Sequence, residues 1–144
     1  MKSIKIASLL FFLTVFMACH SASNGQTPKV VKTSFKQKYP NENDPDWRKD
    51  KNDNFEAHFK KGGIHYRADF NPDGTWIETE QNLKEKELPE AIVKVLKADF
   101  ADADIVEIEK VDHYQKGVFY DVEIKQDGKK KDLEFSENGQ RLNQ

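Results

Sequence analysis

Residues 54–80, NFEAHFKKGGIHYRADFNPDGTWIETE, constrain the fold more than any other stretch of the chain. Apolar and polar residues alternate here with a period of two, which is typical of strands with one buried face. Gly62 and Gly63 interrupt the first alternating run, and residues 71–74 (NPDG) end the second. Both interruptions favour tight turns. The stretch therefore predicts three consecutive antiparallel strands, the last of them at 75–80.

The Gly-Gly turn fixes the register of the first two predicted strands. It sets three apolar pairs opposite each other: Phe55 with Phe70, Ala57 with Ala68, and Phe59 with Tyr66. A slip by one residue would turn every apolar side chain to the polar face, so the register is strongly specified. The other face of this hairpin is polar. It carries Glu56, His58, His65, Arg67 and Asp69.

The second half of the chain repeats this pattern. Pro28 and Pro89 each open a predicted amphipathic helix. The apolar stripes are Val31, Phe35 and Tyr39 in the first helix, and Ile92, Leu96 and Phe100 in the second. Turn glycines also coincide at one constant offset, Gly63 with Gly128 and Gly74 with Gly139. We interpret segments 28–80 and 89–142 as two copies of one unit, a helix followed by a four-stranded meander.

The turn at Asp127 and Gly128 sets the register of the second copy. It predicts Val122 opposite Leu133 and Tyr120 opposite Phe135. A further turn at 136–139 would lead into a last short strand at 140–142.

The two copies together predict an α+β fold. A meander has one apolar face, which a single helix can cover. Two such units side by side give one twisted antiparallel sheet of about eight strands, with both helices on one face. Glu78 and Glu80 follow Trp76 along a strand and are expected on one face at a sheet edge, where carboxylates deter association between sheets.

The first 18 residues have the features of a signal peptide. Lys2 and Lys5 precede the apolar run IASLLFFLTVFMA, which is shorter than the ~20 residues of a membrane-spanning helix. The single cysteine, Cys19, follows directly, and residues 16–19 (FMAC) resemble a lipobox, where bacterial lipoproteins are acylated. The alternative is cleavage by an ordinary signal peptidase within 20–23. Residues 19–27 would then form a flexible tether to a domain at 28–144.

The motifs in order carry a resemblance to a known family. The motifs occur in the order F-x-A-x-F, a glycine turn, Y-x-A-x-F, D-G-T-W-I-E-T-E, L-P-x-A-I, I-x-x-I-E-K and two closing glycine turns. The segments are 55–59, 66–70, 73–80, 88–92, 105–110, 127–129 and 138–140. This arrangement resembles the PepSY-like secreted proteins of Bacteroidota-type bacteria, a group also described as similar to the β-lactamase-inhibitor protein. The resemblance implies a periplasmic or surface location, either soluble or as an outer-membrane lipoprotein, and a binding or inhibitory role.

Composition and motifs exclude several function classes. One third of the residues are charged, yet the formal net charge is only −2, which does not favour binding to nucleic acid. No serine stands in an elbow or triad context, and Cys19 lies at the processing site. We therefore expect no enzymatic activity and no cofactor. Contact with a membrane is expected only through a lipid on Cys19.

His58 and His65 are a possible metal-binding pair. Two histidines and a nearby carboxylate can bind Zn²⁺, but Arg67 shares their face, and histidines on a strand face are more often simply solvated. A small-ligand or metal-binding periplasmic protein, using this face or the aromatic-rich core, is the alternative function. No metal ligand is assigned.

The leading hypothesis is a non-enzymatic exported module that binds an unknown protein or peptide. Its specific surface should consist of residues that the first copy has and the second lacks. These are His58, His65, Arg67 and Trp76. An exposed tryptophan would be a credible anchor for a partner, although core packing is its more common role.

Overall fold

The computed structural model describes residues 26–143. Two helices, α1 (Lys29–Lys38) and α2 (Glu90–Asp99), are described, with one 3₁₀ turn (Glu85–Glu87) before α2. The strands are β1 (Asp46–Lys49), β2 (Phe55–Lys61), β3 (Ile64–Phe70), β4 (Trp76–Asn82), β5 (Asp104–His113), β6 (Gly117–Gln126) and β7 (Lys129–Phe135). The predicted signal peptide, Cys19 and most of the tether lie outside the described residues. Neither described helix has the length and apolar character needed to cross a membrane.

The strands form one antiparallel sheet whose spatial order is their order in the chain, from β1 to β7. The predicted registers are confirmed in both halves. The observed pairs include Phe55–Phe70, Ala57–Ala68, Phe59–Tyr66, Val122–Leu133 and Tyr120–Phe135. The predicted α+β class is also confirmed.

Both helices pack on the same face of the sheet. Val31 and Phe35 of α1 are buried against β2 and β3, and Ile92 and Leu96 of α2 are buried against β5, β6 and β7. The strand registers show that both contact areas lie on the same side of the sheet. We call the opposite side, which neither helix covers, the open face. Its outward side chains on β2 to β7 include Glu56, Arg67, Glu80, Glu109, Asp121 and Glu134.

The core consists of two clusters, one under each helix. Phe35 is central to the first cluster, with its ring centroid 5.1 Å from that of Tyr39, 5.5 Å from Trp47 and 5.3 Å from Phe59. The second cluster is mainly aliphatic. It contains Leu88, Ile92, Leu96, Ile108, Tyr120, Val122, Ile124, Leu133 and Phe135. Each helix thus supplies the apolar cover for its own part of the sheet.

The described residues form seven strands instead of the expected eight or so. After β7 the chain makes a single bridge, between Phe135 and Arg141, where a strand was expected. Leu142 donates its backbone N–H to the carbonyl of Glu134, but its side chain stays 49% exposed. The side chain of Asn143 bonds to the β7 edge in place of a longer strand, accepting from the N–H of Glu134 and donating to the carbonyl of Asp132.

The prediction that Glu78 and Glu80 lie at a sheet edge is wrong, because β4 is the middle strand and the second half of the sheet continues beyond it. Their predicted alternation with Trp76 is also interrupted. A β-bulge sets Trp76 opposite Phe70 and Glu78 opposite Asp69. Trp76 therefore faces the helices, whereas Glu78 and Glu80 belong to the open face.

Two glycine turns fit tightly against the helices. A Cβ on Gly74 (φ +89°) would lie 2.9 Å from Oγ of Ser34, and one on Gly139 (φ +83°) would lie 2.9 Å from the carbonyl oxygen of Ala91. The loop at Gly74 packs against the N-terminal part of α1, and the loop at Gly139 packs against the N-terminal part of α2. Glycine is required at both positions by backbone conformation and by lack of space.

We expect Gly139→Ala to lower the free energy of unfolding by about 2 to 4 kcal/mol, because it combines a left-handed backbone with a clash against α2. Gly128→Ala is the matched control. Its φ is +75°, but no atom lies within 4 Å of the added Cβ, so only the conformational cost of about 1 to 2 kcal/mol applies. Chemical denaturation measures both, and equal losses would show that the contact with Ala91 is unimportant.

Candidate functional site

Three of the four residues predicted for the binding surface meet on the open face. His58 on β2, and His65 and Arg67 on β3, line one cleft of about 400 Å³. Asn82, Glu107 and Glu109 from β4 and β5 line its other side. The cleft therefore spans the junction between the two halves of the sheet.

Trp76 does not join this surface. Its half-buried ring lies on the helix side, where Nζ of Lys38 sits 3.5 Å from a ring centroid. Its Nε1–H donates a hydrogen bond of 3.0 Å to Oγ1 of Thr79. These contacts join α1 to β4, so the structure gives Trp76 a packing environment away from the other three residues.

Arg67 is held by two carboxylates of the open face. Its Nη2 donates to Oε1 of Glu80, and its Nε lies 3.3 Å from Oδ1 of Asp69, in an orientation too oblique for a hydrogen bond. Burial disfavours the Arg67 charge, but Glu80 and Asp69 outweigh that effect and raise the pKa of the guanidinium. Burial also raises the pKa of Asp69 to about 7, against the opposing influence of Arg67.

Glu80 and Glu109 form a buried pair of acids. The Glu80 side chain is only 9% exposed, and burial, reinforced by the Glu109 carboxylate, raises its pKa to about 9. Burial raises the pKa of Glu109 as well, and the two carboxyl groups lie within hydrogen-bonding reach. Oε2 of Glu80 receives no hydrogen bond from any described donor, so an ionised pair would leave it unsatisfied. We infer that the pair shares one proton at neutral pH.

Apolar neighbours explain why these acids are poorly solvated. Val111 lies directly opposite Glu80 on the next strand, and Phe119 lies opposite Val111. Both are buried, at 2% and 3% exposure, although they project from the open face. A carboxylate beside such side chains loses hydration, which favours its protonated form.

Glu109 also begins a row of three acids across β5, β6 and β7. Glu109 lies opposite Asp121, and Asp121 lies opposite Glu134. Like charges directly opposite each other destabilise a sheet. Burial, with Asp132 and Glu134 as neighbours, raises the pKa of Asp121 to about 6. Within the described residues, Lys116 is the ion-pair partner in this row, 2.9 Å from Oε1 of Glu134.

A second row of three acids runs beside the first. Glu107 lies opposite Glu123, which lies opposite Asp132. Lys130 pairs with Glu123 at 2.6 Å, and Nδ2 of Asn82 donates to Glu107 at 3.0 Å. We call these two lines of carboxylates the acidic rows. Each of the three strands contributes two acids that are two residues apart, so the rows contain six acids in all.

Sequence reasoning missed the acidic rows, although part of the signal was present. Acids alternate with apolar residues as E-I-E on β5, D-V-E on β6 and D-L-E on β7. That alternation assigns the acids of each strand to one face. Their alignment into rows also depends on the β5–β6 register, which the connection between His113 and Gly117 sets. The sequence pattern of that connection does not specify the register.

The arrangement of side chains on the open face gives little support to the metal-binding alternative. Nε2 of His58 lies 3.0 Å from Oε2 of Glu56, so the imidazole already has a partner. Within residues 26–143, no three His, Cys, Asp or Glu side chains are grouped to hold a metal ion.

For the small-ligand alternative, the aromatic-rich core borders an open cleft of about 380 Å³, lined by Phe35, Trp47 and mainly polar residues between α1 and β1. There is also an apolar cavity at the end of α2. The residues that line this cavity include Val93, Leu96, Phe100, Ala103, Ile105 and Ile124. Its volume is about 150 Å³, below the roughly 300–1,000 Å³ of ordinary ligand pockets.

We expect Glu109→Gln with Asp121→Asn to raise the free energy of unfolding by about 0.5 to 1 kcal/mol at pH 8, because opposed charges are removed from adjacent strands. The gain should shrink near pH 4, where the carboxyl groups are protonated. Urea denaturation at both pH values measures it. Glu90→Gln with Glu137→Gln is the control, since it removes two exposed charges elsewhere. A loss of stability at pH 8 would contradict the repulsion.

Comparison with known proteins places this fold among bacterial relatives. Residues 53–143 match the family described as "Putative beta-lactamase-inhibitor-like, PepSY-like". No curated protein matches the sequence. The family match begins just before β2, so α1 and β1 precede it.

Three solved structures share the fold. A "putative periplasmic" protein from Bacteroides eggerthii aligns with a TM-score of 0.73 and 23% identity, over 83% of this chain and 88% of that one. A DUF2874 family protein from Bacteroides ovatus gives 0.72 and 22%, over 81% and 84%. A BLIP-like protein from Bacteroides fragilis gives 0.69 and 23%, over 81% and 83%.

Proposed function

The chain belongs to the PepSY-like, beta-lactamase-inhibitor-like family, and from this premise we propose that it is a non-enzymatic exported module that binds a protein or peptide on its open face. The open face itself is the observation that carries the proposal. Neither helix covers it, and it holds a cleft of about 400 Å³ and the contacts of Arg67 with Glu80 and Asp69.

The energetics of the open face support a binding role. A sheet that needed only to fold would gain stability from neutral or oppositely charged pairs across its strands. This sheet instead opposes acids on three strands and buries Glu80 beside Val111. Local choices that oppose stability are expected where a surface serves another purpose.

An exported location is part of the proposal. One structural relative is described as a "putative periplasmic" protein, which supports it, together with the signal-like residues 1–18. We further propose that Cys19 carries a lipid anchor. The intact mass of the mature protein tests this, because a diacylated cysteine at the N-terminus gives a mass that an unmodified chain cut within 20–23 does not.

We also propose that the two halves are copies of one unit. The two tight glycine contacts support this, because Gly74 meets Val30 and Ser34 of α1, and Gly139 meets Ala91 of α2. Inhibition of an envelope enzyme is one use of such a module, in line with the family's description.

Site-specific crosslinking tests the binding function. A photoreactive side chain replaces exposed His65 on the open face, and a matched one replaces Lys94, whose side chain is 73% exposed on α2. In the native envelope, position 65 should crosslink a specific protein that position 94 does not. The purified partner should then bind the unmodified chain. Crosslinks from position 94 alone, or from neither position, would contradict binding on the open face.

A further inference from the structure

We propose that the partner presents a basic, extended segment whose arginine or lysine side chains neutralise the acidic rows. This inference rests on the proposed function and names the chemistry of the partner at the same face. The acidic rows consist of Glu107, Glu109, Asp121, Glu123, Asp132 and Glu134.

The charge of β5 to β7 is divided between the two sides of the sheet. The open side carries the six acids with Lys125 and Lys130, whereas Lys110, Lys129 and Lys131 occupy helix-side positions in the same strands. Lys116 and Lys130 each engage one acid of the rows. The remaining acids leave a concentrated negative surface on a chain whose formal net charge is only −2.

Buried oxygens beside the rows lack donors of their own. Oδ1 of Asp121 is buried and receives no hydrogen bond from the described residues, and Oε2 of Glu80 has only the proton that it shares with Glu109. The Glu80 side chain is more than nine-tenths buried and lies within reach of Glu109. A buried acceptor without a donor is costly, and a guanidinium offers five donors in a planar fork that suits carboxylates. Arginine is therefore the best-matched contact.

The spacing of the acids fits an extended segment. Along each strand the two acids are two residues apart, for example Glu107 and Glu109, which corresponds to roughly 6.6 Å in a β-strand. Alternate side chains of an extended peptide have the same spacing. A segment lying along β5 or β6 with basic residues at every second position would place each cation over an acid.

Proton exchange should accompany this binding. The shared proton of Glu80 and Glu109 occupies the place that a cation would take. The groups facing this pair are Arg67 and Asp69 on β3, Glu78 on β4, Glu107 on β5 and Asp121 on β6. An added cation favours ionised carboxyl groups, so protons pass from the pair to solvent as the cation binds.

Calorimetry with defined peptides tests the inference on the full mature chain. One probe is a short peptide of alternating arginine and threonine, and its counterpart alternates glutamate and threonine. We expect the basic peptide to bind, the acidic one not to bind, and the affinity to fall with added salt. The measured heat should depend on the ionisation enthalpy of the buffer near pH 7, which reports proton release.

Two matched variants locate the contact. Glu109→Gln with Asp121→Asn should weaken peptide binding about tenfold to a hundredfold, as expected for lost charge-assisted hydrogen bonds. Glu90→Gln with Glu137→Gln removes the same charge away from the open face and should change affinity less than about threefold. The first variant is expected to fold at least as stably as the parent, so its lower affinity would not reflect unfolding.

Several results would overturn the inference. They are equal weakening by both variants, preference for the acidic peptide, and displacement of the basic peptide by Ca²⁺ at matched ionic strength. Failure here is distinguishable from failure of the proposed function. If the partner crosslinked at His65 binds the Glu109/Asp121 variant with unchanged affinity, the open face remains the binding surface and the basic segment is excluded.

Discussion

The free energy of unfolding should decrease by several kcal/mol as the pH rises from about 5 to about 8. In the folded chain, burial raises the pKa of Asp121 to about 6, of Asp69 to about 7 and of Glu80 to about 9. In the unfolded chain these groups ionise near their ordinary values of 3.8 for aspartate and 4.5 for glutamate. The folded state therefore holds more protons over this range.

The sign follows from proton linkage. Stability falls with pH wherever the native state binds more protons than the unfolded state, by about 1.4 kcal/mol per pH unit for each extra proton. The contribution of these acids is fully present below pH 4 and is lost as the pH passes their folded pKa values. Most proteins with ion-paired carboxylates show the opposite trend over the acid range.

Glu80→Gln should flatten this dependence. The amide resembles the protonated acid in shape, so stability near pH 5 should change by less than about 1 kcal/mol, whereas near pH 9 the variant should be the more stable protein. Exposed Glu85 supplies the control variant Glu85→Gln, for which the slope should stay that of the parent. Urea titrations at successive pH values give the slope. A parent whose stability rises between pH 5 and pH 8 would refute the protonated cluster.

Phe35→Ala should lower the free energy of unfolding by about 3 to 5 kcal/mol, the second large effect we expect. The side chain is 3% exposed and packs against the rings of Tyr39, Trp47, Phe59 and Phe70. Its loss would leave a cavity between α1 and the sheet, which these large rings cannot easily refill.

Val30→Ala is the control for Phe35→Ala, since Val30 belongs to the same helix and is 47% exposed. It should cost less than about 1 kcal/mol. Thermal and chemical denaturation of both variants provide the comparison. A loss below about 1.5 kcal/mol for Phe35→Ala would mean that the first core cluster contributes little to stability.

Local patterns predicted the parts of the fold that depend on neighbouring residues. The Gly62–Gly63 and Asp127–Gly128 turns fixed two hairpin registers, because a one-residue slip would expose every apolar side chain of those strands. The pattern also predicted two helices on one face. The last strand was not predictable, because the side chain of Asn143 bonds to the backbone of β7 where a further strand would pair.

The candidate site was predicted only in part. Alternation assigned His58, His65 and Arg67 to the polar face, and the structure gathers them in one cleft. Trp76 was misplaced because a bulge in β4 reverses its side, and a bulge depends on the register of neighbouring strands. The acidic rows were missed for a related reason, since they arise from pairing among three strands.

The acidic rows and the buried Glu80–Glu109 pair lower the stability of the free chain on the face that we propose binds the partner. Removing the opposed charges should stabilise the free chain, yet we propose that the same charges hold the partner. Natural proteins often carry such local conflicts at functional surfaces. Measuring both the stability and the peptide affinity of the Glu109→Gln/Asp121→Asn variant therefore tests whether the same charges lower stability and hold the partner.

NMR titration with the partner crosslinked at position 65 tests the central claim that the open face binds it. The signals to follow are the imidazoles of His58 and His65, the Nε–H of Arg67 and the side-chain amide of Asn82. The indole Nε1–H of Trp76, on the helix side, is the internal control. We predict that the open-face signals shift with one common affinity while the Trp76 signal stays in place. A shift of Trp76 with unchanged His58, His65 and Arg67 would contradict the proposed function.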